Sequence, residues 1–192
     1  AFAECSALAT ISFANESKTV DFAEGVFANC KSITAVYLPA SIDKLPLGVF
    51  EGCKNIVGIY VDDANPYFND DNGVVYSKDG KELYYYPLLN GNVTLSNDVE
   101  VIHAGVFKGN TNITKFTFGA HIKKIGASAF ENCILLSEID FSAITGDVTI
   151  GEYAFANCVR IESFTAPASL TAISDGMFNG NTMLSNVSLN EN

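Results

Sequence analysis

The strongest constraint on what this 192-residue chain can fold into is a set of five residues that recurs seven times along it. Phe130, Cys133, Leu136, Ile139 and Phe141 are separated by steps of 3, 3, 3 and 2. The same steps run from Phe2 to Phe13, Phe27 to Leu38, Phe50 to Val61, Phe107 to Phe118, Phe155 to Ala166 and Phe178 to Leu189. Successive lead phenylalanines lie 25, 23, 57, 23, 25 and 23 residues apart, so one interval holds a period plus an insertion. A further apolar residue stands five positions before most of them: Phe22, Leu45, Ile102, Ile125, Ile150 and Ile173. A unit this short cannot bury its own apolar face, but stacked units can share one core. The chain is therefore expected to form a single repeat solenoid over 1–192, with about seven coils of 23–25 residues. The closing 3-then-2 step predicts a short strand in each coil, with Ile139 and Phe141 turned inward. Pro39 and Pro167 follow such strands directly and cannot continue a ladder. The stretch from Gly126 to Asn132 predicts a short helical turn on the opposite wall, which makes the expected class α/β.

Five cysteines, Cys5, Cys30, Cys53, Cys133 and Cys158, share one register of the repeat, and Asn110 and Asn181 occupy it in the other two coils. A cysteine column inside a solenoid packs as small hydrophobes. Disulfides between adjacent coils are the alternative, and the odd count leaves at least one thiol free. An asparagine fits this slot where its amide can reach the backbone of the turn.

The segments Ile125-Gly126, Ala129-Phe130, Cys133, Leu136 and Ile139, and again Ile150-Gly151, Ala154-Phe155 and Cys158, resemble the BspA-type leucine-rich repeat. The resemblance extends over nearly the whole chain and includes the tract from Asn65-Pro66-Tyr67-Phe68 to Lys78-Asp79-Gly80. It implies a leucine-rich-repeat horseshoe belonging to a secreted or surface-anchored, adhesin-like protein. Its partners would be a protein or glycan of a host or neighbouring cell surface or matrix. The first coil opens at Ala1-Phe2 without its upstream apolar residue and the last closes at Leu189, so the chain is expected to be a piece of a longer repeat protein.

Residues 62 to about 95 interrupt the repeat. Gly73–Tyr76 and Glu82–Tyr86 read as two strands joined by an Asp79-Gly80 turn, and Pro87 ends the second. Five of the eight tyrosines lie here: Tyr67, Tyr76, Tyr84, Tyr85 and Tyr86. They either zip the hairpin onto the column through cross-strand pairs or present a recognition patch. Asp62, Asp63, Asp70 and Asp71 crowd the same tract, but Phe68 stands where the first ligand of a calcium loop should be, and solvated loop acids are the expectation.

The residues between the inward strand positions must point outward. They are Ser12, Tyr37, Tyr60, Thr117, Asp140, Thr165 and Ser188, preceded two positions earlier by Thr10, Ala35, Gly58, Lys115, Glu138, Ser163 and Asn186. Tyr37 and Tyr60 are neighbours on adjacent coils and form the sharpest candidate site, although exposed strand positions favour Tyr and Thr in any case. The candidate ligand-binding residues are Tyr37, Tyr60, Thr117, Asp140 and Thr165 on this face, with Tyr84 and Tyr86 on the hairpin.

Acidic residues outnumber basic ones 22 to 11, giving a net charge of −11 that disfavours nucleic-acid phosphates and anionic membranes. No apolar run reaches the length of a membrane span. No nucleophile elbow, phosphate loop or HExxH motif occurs, and His103 and His121 have no placed partner. The expectation is a non-catalytic binding module without metal or cofactor. The alternative is a structural spacer that holds another domain away from the cell.

Overall fold

The computed structural model describes residues 1–13, 20–87, 91–170 and 172–189, in two compact units, 1–88 and 89–192. In the first unit, β1 (Ala35–Leu38) and β2 (Gly58–Val61) pair in parallel, with Val36 opposite Ile59 and Tyr37 opposite Tyr60. They stand where the repeat predicts strands. Val36, Leu38 and Ile59 are buried, whereas Tyr37 is exposed. Next come β3 (Phe68–Asp71), β4 (Val74–Ser77) and β5 (Glu82–Tyr85), an antiparallel three-stranded sheet. The two hairpin strands match the sequence reading. The third, β3, was hidden because Asn-Asp-Asp has little strand propensity.

The second unit begins with β6 (Gly91–Thr94), β7 (Val101–Ile102) and β8 (Ile113–Thr117). It continues with β9 (Lys124–Ile125), β10 (Glu138–Asp140), β11 (Thr149–Ile150), β12 (Ser163–Thr165) and β13 (Asn186–Ser188). Strands β6, β8 and β10 form one parallel sheet, and β12 pairs in parallel with β13. The apolar position before each lead phenylalanine builds another parallel ladder, in which Ile125 of β9 sits opposite both Ile102 of β7 and Ile150 of β11. Val93 of β6 is in register with Phe116, so the end of the tract read as insertion carries a repeat strand.

The wall opposite the strands differs from the sequence expectation. Among the described residues there is no helix, so the α part of an α/β class is not realised. The cause lies in two backbone positions of each turn. The residue two before the lead phenylalanine has positive φ in six coils (Gly25, Gly48, Gly105, Ser128, Tyr153 and Gly176). The residue just before the cysteine slot has it in seven (Glu4, Asn29, Gly52, Gly109, Asn132, Asn157 and Gly180). Left-handed residues at this spacing break any helical run. They turn alternate amides along the stack instead: Ser128, Phe130 and Asn132 donate to the carbonyls of Glu152, Ala154 and Ala156 of the following coil at 2.9, 2.8 and 2.9 Å. Glycine and asparagine, which tolerate this conformation best, fill most of these positions.

The core is a ladder of rings. Phe27 stacks on Phe2 and Phe50 at 5.5 and 5.7 Å, and Phe130 stacks on Phe107 and Phe155 at 4.7 and 5.1 Å. Phe118 and Phe141 stack at 4.7 Å in a second row contributed by the strands. Each fully buried ring contributes about 2–3 kcal/mol of hydrophobic stabilisation. Gly126 and Gly151 allow the coils to approach this closely. A Cβ on them would lie 2.4 Å from the Ala104 amide nitrogen and 2.5 Å from that of Ala127. In the last described coil Val187 and Leu189 stand at core positions of the repeat and are exposed.

Candidate functional site

In the first unit, parallel register places Tyr37 and Tyr60 side by side on the outer strand face, with ring centroids 5.3 Å apart and 24° between planes. Tyr37 is 66% exposed, whereas Tyr60 is half-buried. The difference comes from the inserted sheet. A Cβ on Gly58 would meet both Gly73 Cα and the Tyr60 phenol at 3.0 Å, so the Asn72-Gly73 turn lies against β2 beside Tyr60. The Ile59 amide donates to the Gly73 carbonyl at 3.0 Å, and the Val61 amide donates to Asp70 Oδ1 at 2.7 Å. The insertion thus occupies the donors of β2 and flanks one end of the tyrosine stack.

The corresponding positions of the second unit are polar. Thr94, Thr117 and Asp140 line up across β6, β8 and β10, and Thr165 pairs with Ser188. Lys115 is bonded to Glu138, which holds its ammonium pKa up. The Ser142 hydroxyl and amide hold the Asp140 carboxyl below the usual carboxylate range. The predicted residues Thr117 and Asp140 are therefore adjacent and Thr165 is exposed, and among the described residues the matching positions Thr94 and Ser188 carry no aromatic ring either.

The hairpin tyrosines mostly pack. The Tyr84 ring meets Phe68 edge-on at 5.0 Å, and its hydroxyl donates to Glu82 at 3.0 Å. Burial, reinforced by Glu82, pushes its pKa up to about 12. Tyr85 lies edge-on to Phe50 at 6.5 Å, and burial raises its pKa strongly. Tyr86 is half-buried and shifted in the same direction by the same cause. Tyr67 is exposed.

Sequence reasoning placed Asn65 only at the start of a turn. In the structure it is fully buried and joins the inserted sheet to the coil before it. Its amide donates to the carbonyls of Pro39 at 3.0 Å and Ile42 at 2.9 Å, and its oxygen accepts from the amides of Tyr67 at 2.8 Å and Phe68 at 2.9 Å. A polar residue between Ala64 and Pro66 gave no periodic signal that would have marked it.

All five cysteines are free, and four are buried. Each buried thiol donates to the carbonyl of the lead phenylalanine one coil earlier: Cys30 to Phe2, Cys53 to Phe27, Cys133 to Phe107 and Cys158 to Phe130, at 3.0–3.1 Å. In the same slot Asn110 accepts from the amides of Asn112 and Ile113 at 2.9 and 3.2 Å, and Asn181 accepts from the Cys158 amide at 3.0 Å. Asp70, one of the crowded acids, accepts from Val61 and from the Gly73 amide at 3.2 Å. Among the described residues no three His, Cys, Asp or Glu side chains gather as metal ligands, and no helix is long and apolar enough to cross a membrane.

A family model for the BspA type leucine rich repeat region matches residues 1–71 and 80–192 in six copies. Among solved structures, the chain is similar to the pneumococcal vaccine antigen PcpA, with a TM-score of 0.75 and 22% identity over 86% of this chain and 41% of that one. It is also similar to a leucine-rich cell surface protein of Faecalibacterium prausnitzii, with a TM-score of 0.69 and 21% identity over 88% of this chain and 57% of that one. A leucine-rich-repeat protein of Eubacterium ventriosum gives a TM-score of 0.51 at 17% identity, over 88% of this chain and 62% of that one. The chain thus spans between two-fifths and just over three-fifths of the length of these structures. At this identity the likeness establishes the solenoid fold. No curated protein matches the sequence. With the family model covering nearly all of its length, the chain belongs to the BspA-type leucine-rich-repeat family.

Proposed function

We propose that this chain is a non-catalytic binding module of a cell-surface protein, and that it captures a protein or glycan on the outer strand face of its first unit. The observation that carries the reading is the Tyr37–Tyr60 stack, two large rings with few rotors held in register on a rigid parallel ladder. Tyrosine supplies wide amphipathic contact at low entropic cost, and a ring already stacked on its neighbour loses little further freedom on binding. The stacked core rings of Phe2, Phe27 and Phe50 and the turn hydrogen bonds of the coils are made by residues other than Tyr37 and Tyr60. A surface location is supported by the family and by the description of the Faecalibacterium relative as a cell surface protein.

The test is a capture screen of the purified chain against matrix proteins and glycans, run beside a Tyr37→Ala/Tyr60→Ala double variant of matched stability. Capture of a ligand that the double variant loses supports the reading. Capture that the variant retains moves the site elsewhere, with the Tyr84 and Tyr86 hairpin tested next. No capture favours a spacer.

A further inference from the structure

The tyrosine stack has one closed end and one open end, and this asymmetry defines a slot. At the Tyr60 end stands the Asn72-Gly73 turn, pressed against Gly58. At the Tyr37 end the next position of the repeat is Ser12, which is exposed and carries no ring. The first coil is stacked on the second through its turn wall: the Phe2 amide donates to Val26 at 2.9 Å, the Glu4 amide to Ala28 at 2.7 Å, and the Ser32 hydroxyl to Ser6 at 2.6 Å. By the register of the repeat Ser12 is the position that corresponds to Tyr37 in the first coil, and at 66% exposure the Tyr37 ring, stacked on Tyr60 by one face, leaves its other face open. Rungs of a parallel ladder are spaced about 4.8 Å apart, close to the separation at which a flat ring stacks on another.

The surroundings of this slot select among flat partners. Thr10, Ser12, Ala35, Tyr37, Gly58 and Tyr60 make up the outward positions of the three coils, and all are uncharged. The matching positions of the second unit carry Lys115, Glu138 and Asp140. An aromatic face whose neighbouring outward positions are Thr10 and Ser12 offers ring stacking and neutral hydrogen bonds, and the charged groups at its closed end, Asp70 and Asp71, are acidic and disfavour an anion. The chain's net charge of −11 meanwhile repels anions. Resting on the reading that this face binds, we infer that its ligand is a neutral glycan. A pyranose with equatorial hydroxyls would continue the stack on Tyr37, laying its C–H face on the ring and its hydroxyls against Ser12 and Thr10. Acidic polysaccharides would be excluded.

The test uses the full chain and three probes: cellotetraose, N-acetylchitotetraose and, as the anionic control, a hyaluronan oligosaccharide. Titration is followed calorimetrically and by tyrosine emission, which is usable because the chain has no Trp. Binding of at least one neutral probe, with none of the anionic one, is expected. Tyr37→Ala should weaken that binding at least tenfold, whereas Tyr60→Phe, which keeps the stack, should change it less than threefold. Ser12→Tyr fills the open rung with a third ring and should abolish binding while leaving the denaturation midpoint unchanged. Binding undiminished in Ser12→Tyr, equal binding of the anionic probe, or no binding of either neutral probe would overturn the proposal. If the stack instead captures a protein in the screen above and neither neutral glycan, the inference fails while the binding-module reading stands.

Discussion

Replacing Asn65 by Ala should be among the most damaging single substitutions in the first unit, although the residue lies in a loop and belongs to no strand. Its side chain makes four hydrogen bonds in a fully buried position, two to the Pro39 and Ile42 carbonyls and two from the Tyr67 and Phe68 amides. A buried hydrogen bond contributes about 0.5–1.5 kcal/mol net, and truncation leaves its partners dry and unpaired, so we predict a loss of about 3–5 kcal/mol. Asn65→Asp separates the two halves of this network. The carboxylate keeps both bonds from the amides but presents a negative oxygen to two carbonyls, so its cost at neutral pH should approach that of Ala. Burial and the two carbonyls raise the pKa of this carboxyl in the fold, so protonation as pH falls through the raised value restores one donor and should narrow the gap to wild type. Urea denaturation read by tyrosine fluorescence is the assay, because seven of the eight tyrosines precede residue 88. A shift in midpoint at constant slope measures the loss. If both variants cost less than about 1 kcal/mol, within the range of an ordinary surface change, the assignment of Asn65 as the joint between the coil and the inserted sheet is wrong.

Three further predictions follow from the packing. Phe130→Ala should cost about 3–5 kcal/mol, whereas the exposed Tyr37→Ala, which loses only its stack on Tyr60, should cost about 0.5–1.5 kcal/mol, and equal destabilisation by the two would contradict the inward and outward assignment. In the native protein a thiol reagent at neutral pH should label Cys5 alone, because the other four are buried and those of Cys53 and Cys133 are shifted upward, by burial and by the Cys158 thiol respectively. Rapid labelling of all five without unfolding would refute this. In alkali, Tyr84, raised to about 12, and Tyr85, raised further, favour the protonated state in the fold. Their contribution to stability is complete below the unfolded value near pH 10 and is lost as pH rises through the folded values. Absorbance at about 295 nm should then show the last tyrosines ionising together with unfolding, and ordinary titration of all eight in the folded state would count against their burial.

The repeat was legible because each coil repeats the same burial problem. The lead phenylalanine, cysteine and strand positions could be read from spacing alone, and the outward residues followed by elimination. The helical wall was misread because Ala-Ser-Ala-Phe-Glu-Asn has ordinary helix propensity. The left-handed backbone at Ser128 and Asn132 is imposed by hydrogen bonds to the next coil, a tertiary effect that local sequence does not announce. Tyr37 and Tyr60 were identified as neighbours from sequence. The asymmetry of their stack was not, because it depends on Gly73 lying against Gly58, two positions 15 residues apart with no shared periodicity. Asn65 and Asp70 escaped for the same reason, since their partners are single backbone groups across the fold.

The proposed binding surface is the outer strand face of the first unit. The most direct test is NMR of the full chain with its tyrosine rings isotopically labelled, titrated with whichever ligand the screen captures. The ring signals of Tyr37 should shift most, those of Tyr60 should shift less, and those of Tyr84, Tyr85 and Tyr86 should stay in place. Shifts concentrated on the hairpin rings with Tyr37 unmoved would contradict this assignment.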